Sequence, residues 1–192
     1  MLSVPVFAGN SPVILVIGDS LSAGYGMELS QSWPRLLQNR LDDNGHQYRV
    51  VNSSMTGDTT QGGLTRLPRF LEKHPPSLVI IELGGNDGLR GLGISVTRNN
   101  LSQMVQKSQQ AGATVILTGI RLPPNYGPAY TDQFYSIYGD MQEQFGLLLI
   151  PFFMEDVAFN PELMQGDGIH PNAKAQPILL DSVWEFLEPE LN

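Results

Sequence analysis

The stretch Val13-Ile-Leu-Val-Ile17, followed at once by Gly18-Asp-Ser-Leu-Ser-Ala-Gly24, sets the frame for the rest of the chain. Five consecutive apolar residues, four of them β-branched, have the length and continuity of a strand buried on both faces. Gly-Asp-Ser then ends the run as a tight strand-to-helix turn. Four further runs of this kind follow: Tyr48–Asn52, Leu78–Leu83, Thr114–Thr118 and Leu147–Ile150. Helical stripes alternate with them. Trp33, Leu36, Leu37 and Leu41 form one, with Ser32 placed as N-cap and Pro34 in the first turn. Leu64, Leu67 and Leu71 form another over residues 63–73, where Pro68 predicts a kink or a late start. Leu101, Met104 and Val105 form a third. Phe134, Ile137, Tyr138 and Met141 follow behind Thr131 as capping residue, and Leu180, Val183, Trp184 and Leu187 continue from about Pro177. Strand and helix in alternation, with no repeat or linker, predict one α/β domain over residues 1–192. Its architecture is a three-layer α/β/α stack around a five-stranded parallel sheet. In such open sheets chemistry sits beyond the carboxyl ends of the strands.

Composition narrows that chemistry. The 192 residues include no cysteine and three histidines, His46, His74 and His170. A thiol nucleophile, a thiolate zinc site and a disulfide framework are therefore excluded. The histidines are far apart in sequence, so a His-rich metal cage is not expected; the P-loop lysine and the third glycine of a dinucleotide fingerprint are missing, so no cofactor is expected either. A side chain that exchanges a proton near neutral pH is then one of the three histidines. His46 follows Asn44-Gly45 and His74 precedes two prolines, which are turn settings where a solvated histidine is ordinary.

Lys and Arg number 11 against 19 Asp and Glu, a net charge of −8. That field repels phosphate backbones and anionic lipid, so no nucleic-acid partner is expected. From Pro151 onward eight acids face one base, Lys174, which reads as a solubilising acidic face. No run approaches the ~18 apolar residues of a membrane span. Residues 1–10 lack a basic n-region, but Val6-Phe7-Ala8 has the small-residue ending of an export signal. An ordinary ragged terminus is the alternative.

Each strand of the sheet is followed by polar, glycine-rich sequence. The blocks are Gly18-Asp19-Ser20 after the first strand, Thr56-Gly57-Asp58 after the second and Gly84-Gly-Asn86-Asp87 after the third. Arg121-Leu-Pro-Pro-Asn-Tyr-Gly127 follows the fourth, and Asp167-Gly-Ile-His170-Pro171 lies downstream of the fifth. Acyl transfer needs a nucleophile, a base, a group that orients the base, and donors for the developing oxyanion. Ser20 on its strand-to-helix turn suits the first role and His170 the second. Asp167, with Gly168 between, can fold back to hold Nδ1 of His170 and fix its tautomer. The backbone N–H groups of Ser20 and Gly57 and the uncharged amide of Asn86 are suited to the oxyanion. Singly, each block is an ordinary turn; together they fall at different strand ends of one sheet.

These blocks resemble those of the GDSL or SGNH hydrolase superfamily, with Ser20, Gly57, Asn86 and His170 in the four named positions and Asp167 as the acid. The longer matches, Gly18–Tyr25, Gly84–Gly91, Arg121–Gly127 and Asp167–Asn172, resemble its bacterial arylesterase, acyl-CoA thioesterase and lysophospholipase group. The resemblance implies a flavodoxin-like fold, metal-free hydrolysis of an ester or thioester through an acyl-serine, and export to the periplasm or beyond. It further implies that Asp87, Gly88, Leu89 and Arg90, with Leu122 and Pro123 from the next loop, line the substrate site. A monomer would suffice for this chemistry, and nothing in the residues sets the oligomeric state. Two other readings compete. One is a carbohydrate acetylesterase using the same machinery. The other is a flavodoxin-like binding protein, disfavoured because Asp19 puts negative charge where a flavin phosphate would sit.

Overall fold

The computed structural model describes residues 11–191. Its five strands are β1 (Val13–Gly18), β2 (Arg49–Asn52), β3 (Pro76–Glu82), β4 (Thr114–Thr118) and β5 (Leu148–Ile150). They pair in parallel in the order β2-β1-β3-β4-β5. The helices are α1 (Ser20–Ala23), α2 (Trp33–Asp43), α3 (Thr60–Lys73), α4 (Gly85–Leu89), α5 (Ile94–Gln110), α6 (Pro128–Phe145) and α7 (Gln176–Leu187). Short 3-10 turns join some of them.

The continuous apolar runs divide by the two-residue period of a strand. Ile14, Val16, Leu78, Ile80 and Ile116 point to a core shared with Trp33, Leu37 and Leu41 of α2 and Leu179, Val183 and Leu187 of α7. Leu15, Ile17, Val79, Ile81, Val115 and Leu117 point to the other, with Leu67 of α3, Leu101, Met104 and Val105 of α5, and Phe134, Ile137 and Tyr138 of α6. This arrangement explains why β1, β3 and β4 lack alternation: both of their faces are covered, whereas the edge strand β2 stays partly exposed. The structure is the three-layer α/β stack the sequence predicts.

Three local expectations are adjusted. Ser32 occupies the N-cap position of α2, but its hydroxyl donates back to the Leu29 carbonyl (2.8 Å) instead of capping a helical N–H. Helix α6 begins at Pro128, so Thr131 lies inside it and donates to the Pro128 carbonyl (3.2 Å). Pro68 does not delay α3, which starts at Thr60 behind a side-chain cap from Thr59 and runs through the proline. The reading of residues 1–10 as an export remnant falls outside the described residues.

The strand order fixes where a site can form. From β1 the chain moves outward to β2 on one side, then crosses back to β3, β4 and β5 on the other. The reversal leaves a crevice at the carboxyl ends of β1 and β3. Gly18-Asp19-Ser20 and Gly84-Gly85-Asn86 leave the sheet there, with the turn containing Gly57 beside them.

Candidate active site

Ser20 is the first residue of α1, directly after β1, and Asp19 caps that helix by accepting from the Leu21 N–H (3.1 Å). Its Oγ lies 2.9 Å from Nε2 of His170, 150 residues away in sequence. His170 sits in the loop between β5 and α7. Asp167 Oδ2 is 2.6 Å from Nδ1 of the same ring, while Oδ1 accepts the backbone N–H groups of Ile169 (2.9 Å) and His170 (3.0 Å). Gly168, at φ +66°, turns the backbone so that one carboxylate meets all three donors. The backbone bond from His170 leads the causes that hold the Asp167 carboxyl well below the usual carboxylate range, ahead of the ring contact and the Ile169 bond. Ionised, Asp167 only accepts, so Nδ1 carries the proton and Nε2 is free to accept from the Ser20 hydroxyl.

Two other blocks meet this pair. Gly57 lies in the turn after β2 at φ +75°, a conformation that favours glycine. Asn86 is in α4, immediately after β3, and its Nδ2 donates to Asp19 Oδ2 (3.0 Å). One amide hydrogen is thereby committed and the other remains for a ligand. Beneath both loops, the Arg66 side chain of α3 bonds the carbonyls of Gly18 (3.0 Å) and Ser53 (2.9 Å) and pairs with Asp58. One cation thus ties together the turns after β1 and β2.

The remaining residues expected at the substrate site separate into two sets. Arg90 and Pro123 are exposed. Asp87 is fully buried: its carboxylate accepts the backbone N–H of Thr60 (2.9 Å) and the Thr60 hydroxyl, and Asn100 joins them through that hydroxyl (3.0 Å). Its side chain anchors α4 to α3 and does not reach an open face, which corrects the expectation for this residue. Leu122 is buried against Gly88, where a Cβ would come within 2.5 Å of the leucine. Leu89 packs on the same core and its carbonyl accepts from Tyr126 (2.9 Å).

The structure adds groups that the sequence reading did not assign. Tyr25 lies beside the His170 ring, centroids 4.3 Å apart. Glu82, the last residue of β3, is fully buried under the nucleophile turn. It accepts from the Ser22 hydroxyl (2.8 Å) and the Asp19 N–H (3.3 Å), and Trp33 Nε1 donates to Ser22 (3.2 Å). A lone acid closing an apolar strand was the available signal, since such a group needs buried partners. Burial, then the charge of Asp19, pushes the Glu82 carboxyl well above its ordinary range. Burial also raises Asp19 to about 6, against the hydrogen bonds from Leu21 and Asn86.

Both shifts have the same sign for stability. An acid that holds its proton more tightly when folded contributes stability fully present below its unfolded pKa, near 4. That contribution is lost as pH rises through the folded value, at about 6 for Asp19. Each such proton tilts stability by about 1.4 kcal/mol per pH unit. Glu82→Gln keeps the acceptor for Ser22 and removes one titrating group. We expect urea unfolding of this variant to show a shallower loss of stability between pH 5 and 8 than the wild type, by up to that slope. Comparison at each pH cancels the carboxylates that do not interact with Glu82, and identical slopes would contradict the assignment.

A serine hydroxyl bonded to an imidazole, itself bonded to a carboxylate, beside an amide and a glycine turn, is the constellation of a serine acylhydrolase. The GDSL-like lipase/acylhydrolase family model matches residues 16–177, and the chain belongs to that family. It is 53% identical over 178 residues to the esterase TesA of Pseudomonas aeruginosa, covering 93% of this chain and 89% of the relative. It is 46% identical over 185 residues to thioesterase 1/protease 1/lysophospholipase L1 of Escherichia coli K12, covering 96% and 88%. A solved crystal structure of TesA superposes with a TM-score of 0.91 at 52% identity, covering 93% of this chain and 99% of that one. The chain is therefore an SGNH-type esterase or thioesterase in class. Among the described residues no helix is long and apolar enough to cross a membrane.

Proposed function

We propose that Ser20, His170 and Asp167 are the catalytic triad of this hydrolase, and that it cleaves ester or thioester bonds of aryl and acyl substrates. The observation that carries the reading is the continuous path Ser20 Oγ, His170 Nε2, His170 Nδ1, Asp167 Oδ2, with separations of 2.9 and 2.6 Å. In this mechanism His170 takes the Ser20 proton as Oγ attacks the carbonyl. The oxyanion is received by the N–H groups of Ser20 and Gly57 and the free Nδ2 hydrogen of Asn86. His170 then protonates the leaving group, and a water activated by the same base releases the acid. Exposed apolar side chains on or beside these loops, Tyr25, Met55 and Ile169, favour an aryl or aliphatic acyl group over a polar sugar. Action in the periplasm or outside the cell belongs to the same reading, supported by the family resemblance. Fractionation of cells expressing the full-length gene tests it.

Labelling with a fluorophosphonate, followed by mapping of the modified peptide, tests the central assignment. Modification at Ser20 is expected, and modification elsewhere would overturn it. Turnover of p-nitrophenyl butyrate and octanoate should exceed release of acetate from acetylated sugars.

The oxyanion role of Asn86 is separately testable. Asn86→Ala should lower kcat by ~10²–10³ with KM little changed, because the bond strengthens only as charge develops. An effect confined to KM would remove Asn86 from that role.

A further inference from the structure

The two proposed oxyanion donors outside the nucleophile turn come from separate loops, and one exposed cation touches both. Arg90, at the C-terminal end of α4, donates from Nη2 to the Gly57 carbonyl (2.9 Å) and to Asn86 Oδ1 (3.4 Å). Asp19 already holds the opposite end of that amide. With Oδ1 on a donor and Nδ2 on an acceptor, the Asn86 amide has one orientation that satisfies both ends. Gly57 carries no side chain and sits at φ +75°, in a turn closed by the bond from the Asp58 N–H to the Met55 carbonyl (3.1 Å). The bond from Arg90 to its carbonyl adds a second restraint on that turn. The same guanidinium therefore limits motion of both donors: one nitrogen, Nη2, reaches both acceptors, and the planar group holds it more rigidly than a flexible stem would hold an ammonium.

We propose that Arg90 is a positioning residue that locks Gly57 and Asn86 into the geometry that receives the oxyanion. Family resemblance would place Arg90 in the wall of the substrate pocket; its contacts point inward to the catalytic apparatus instead. The proposal rests on the oxyanion assignment above and adds the device that holds it. Donors of this kind work only when preorganised, and a displacement of about 1 Å can cost about 10²-fold in rate. Because Arg90 is exposed and anchors no core residue, its removal should leave folding intact.

The experiment is a double-mutant cycle on a neutral p-nitrophenyl ester. Arg90→Met is expected to lower kcat by about 10- to 100-fold with KM changed by less than about threefold. Arg90→Lys should recover only part of the loss, because its ammonium sits on a more flexible stem and is not held in place by a planar group. In the Asn86→Ala background the Arg90→Met effect should shrink several-fold, because the amide it holds is gone. Fluorophosphonate should still label Ser20 in every variant, and failure to label the wild type would strike at the triad and not at Arg90. Three results would overturn the proposal: unchanged kcat in Arg90→Met, full additivity with Asn86→Ala, or a rise in KM alone confined to anionic substrates. The last would make Arg90 a headgroup-binding residue.

Discussion

Replacing Ser20 by alanine should lower kcat by at least ~10⁴-fold on any ester the enzyme turns over, with a cooperative unfolding transition retained. The magnitude follows from what remains. His170 and Asp167 still form their pair, and Gly57 and Asn86 still offer donors, but no atom is left to form the acyl intermediate. Serine hydrolases stripped of their nucleophile fall to the residual rate that binding and the oxyanion donors supply. The structural cost is small, since the hydroxyl makes one long-range bond, to Nε2 of His170. A bond of that kind contributes about 1 kcal/mol net. Stopped-flow traces should show a p-nitrophenol burst in the wild type where deacylation is slow, and none in the variant. A loss of less than tenfold, or a burst surviving the substitution, would mean that another group carries the acyl chain.

The same substitution bears on the reason the site lies where it does. Ser20 is three residues from Ile17, whose side chain is fully buried in the core shared with α3, α5 and α6. Asn86 is equally close to Leu83. Each functional side chain is therefore held at a short lever arm from a rigid strand, as a preorganised site requires. His170 has no such anchor: it lies on a loop more than fifteen residues beyond β5. Its placement comes from Asp167 and the ring of Tyr25. Gln165 strengthens that loop by bonding the carbonyls of Tyr25 (2.8 Å) and Pro171 (2.9 Å). Ser20 is positioned by the sheet and His170 by its own loop.

The distinction also explains what the sequence made legible. The inner strands were readable because burial on both faces leaves them nearly continuous apolar runs, and Thr114–Thr118 was bounded as observed. Ser20, Asn86 and His170 were readable because a chain with no cysteine and three histidines leaves few routes to covalent catalysis, and the blocks fall at strand ends. The contacts of Asp87 and Arg90 were not. These two residues lie three positions apart in one glycine-rich segment, yet one is buried against Thr60 and the other exposed over Gly57. Three positions along one helical turn leave the two residues on the same side, so the difference comes from what each meets, Thr60 of α3 for Asp87 and the turn after β2 for Arg90. Ser32 holds the N-cap position that the sequence predicts, but its hydroxyl bonds elsewhere. A 3-10 turn at Leu29–Gln31 supplies a carbonyl that competes for its hydroxyl, and nothing in the helical periodicity announces that turn.

The second large effect concerns Asp167, and it separates orientation from charge. Asp167→Asn keeps an oxygen able to accept the backbone N–H groups of Ile169 and His170, so the turn through Gly168 should persist. The amide nitrogen then faces Nδ1 of His170 and donates to it, where the carboxylate had accepted. The imidazole responds by carrying its proton on Nε2, the atom facing the Ser20 hydroxyl. In that tautomer His170 cannot take the serine proton, and the imidazolium that must form loses its counter-charge. A drop in kcat of about 10³–10⁴-fold is expected, as in other triads where this change reverses the tautomer. Partial exposure of the Asp167 side chain, 38%, puts the expectation toward the lower end, because water can in part replace the carboxylate. Asp167→Ala supplies the control. It removes the wrong donor together with the right acceptor, and lets water reach Nδ1. If tautomer reversal is the dominant fault, the alanine variant should be the more active of the two, and its phosphonylation at Ser20 by fluorophosphonate the faster. An asparagine variant within tenfold of wild type would show that His170 is oriented by its loop and by Tyr25 alone, leaving Asp167 a structural cap.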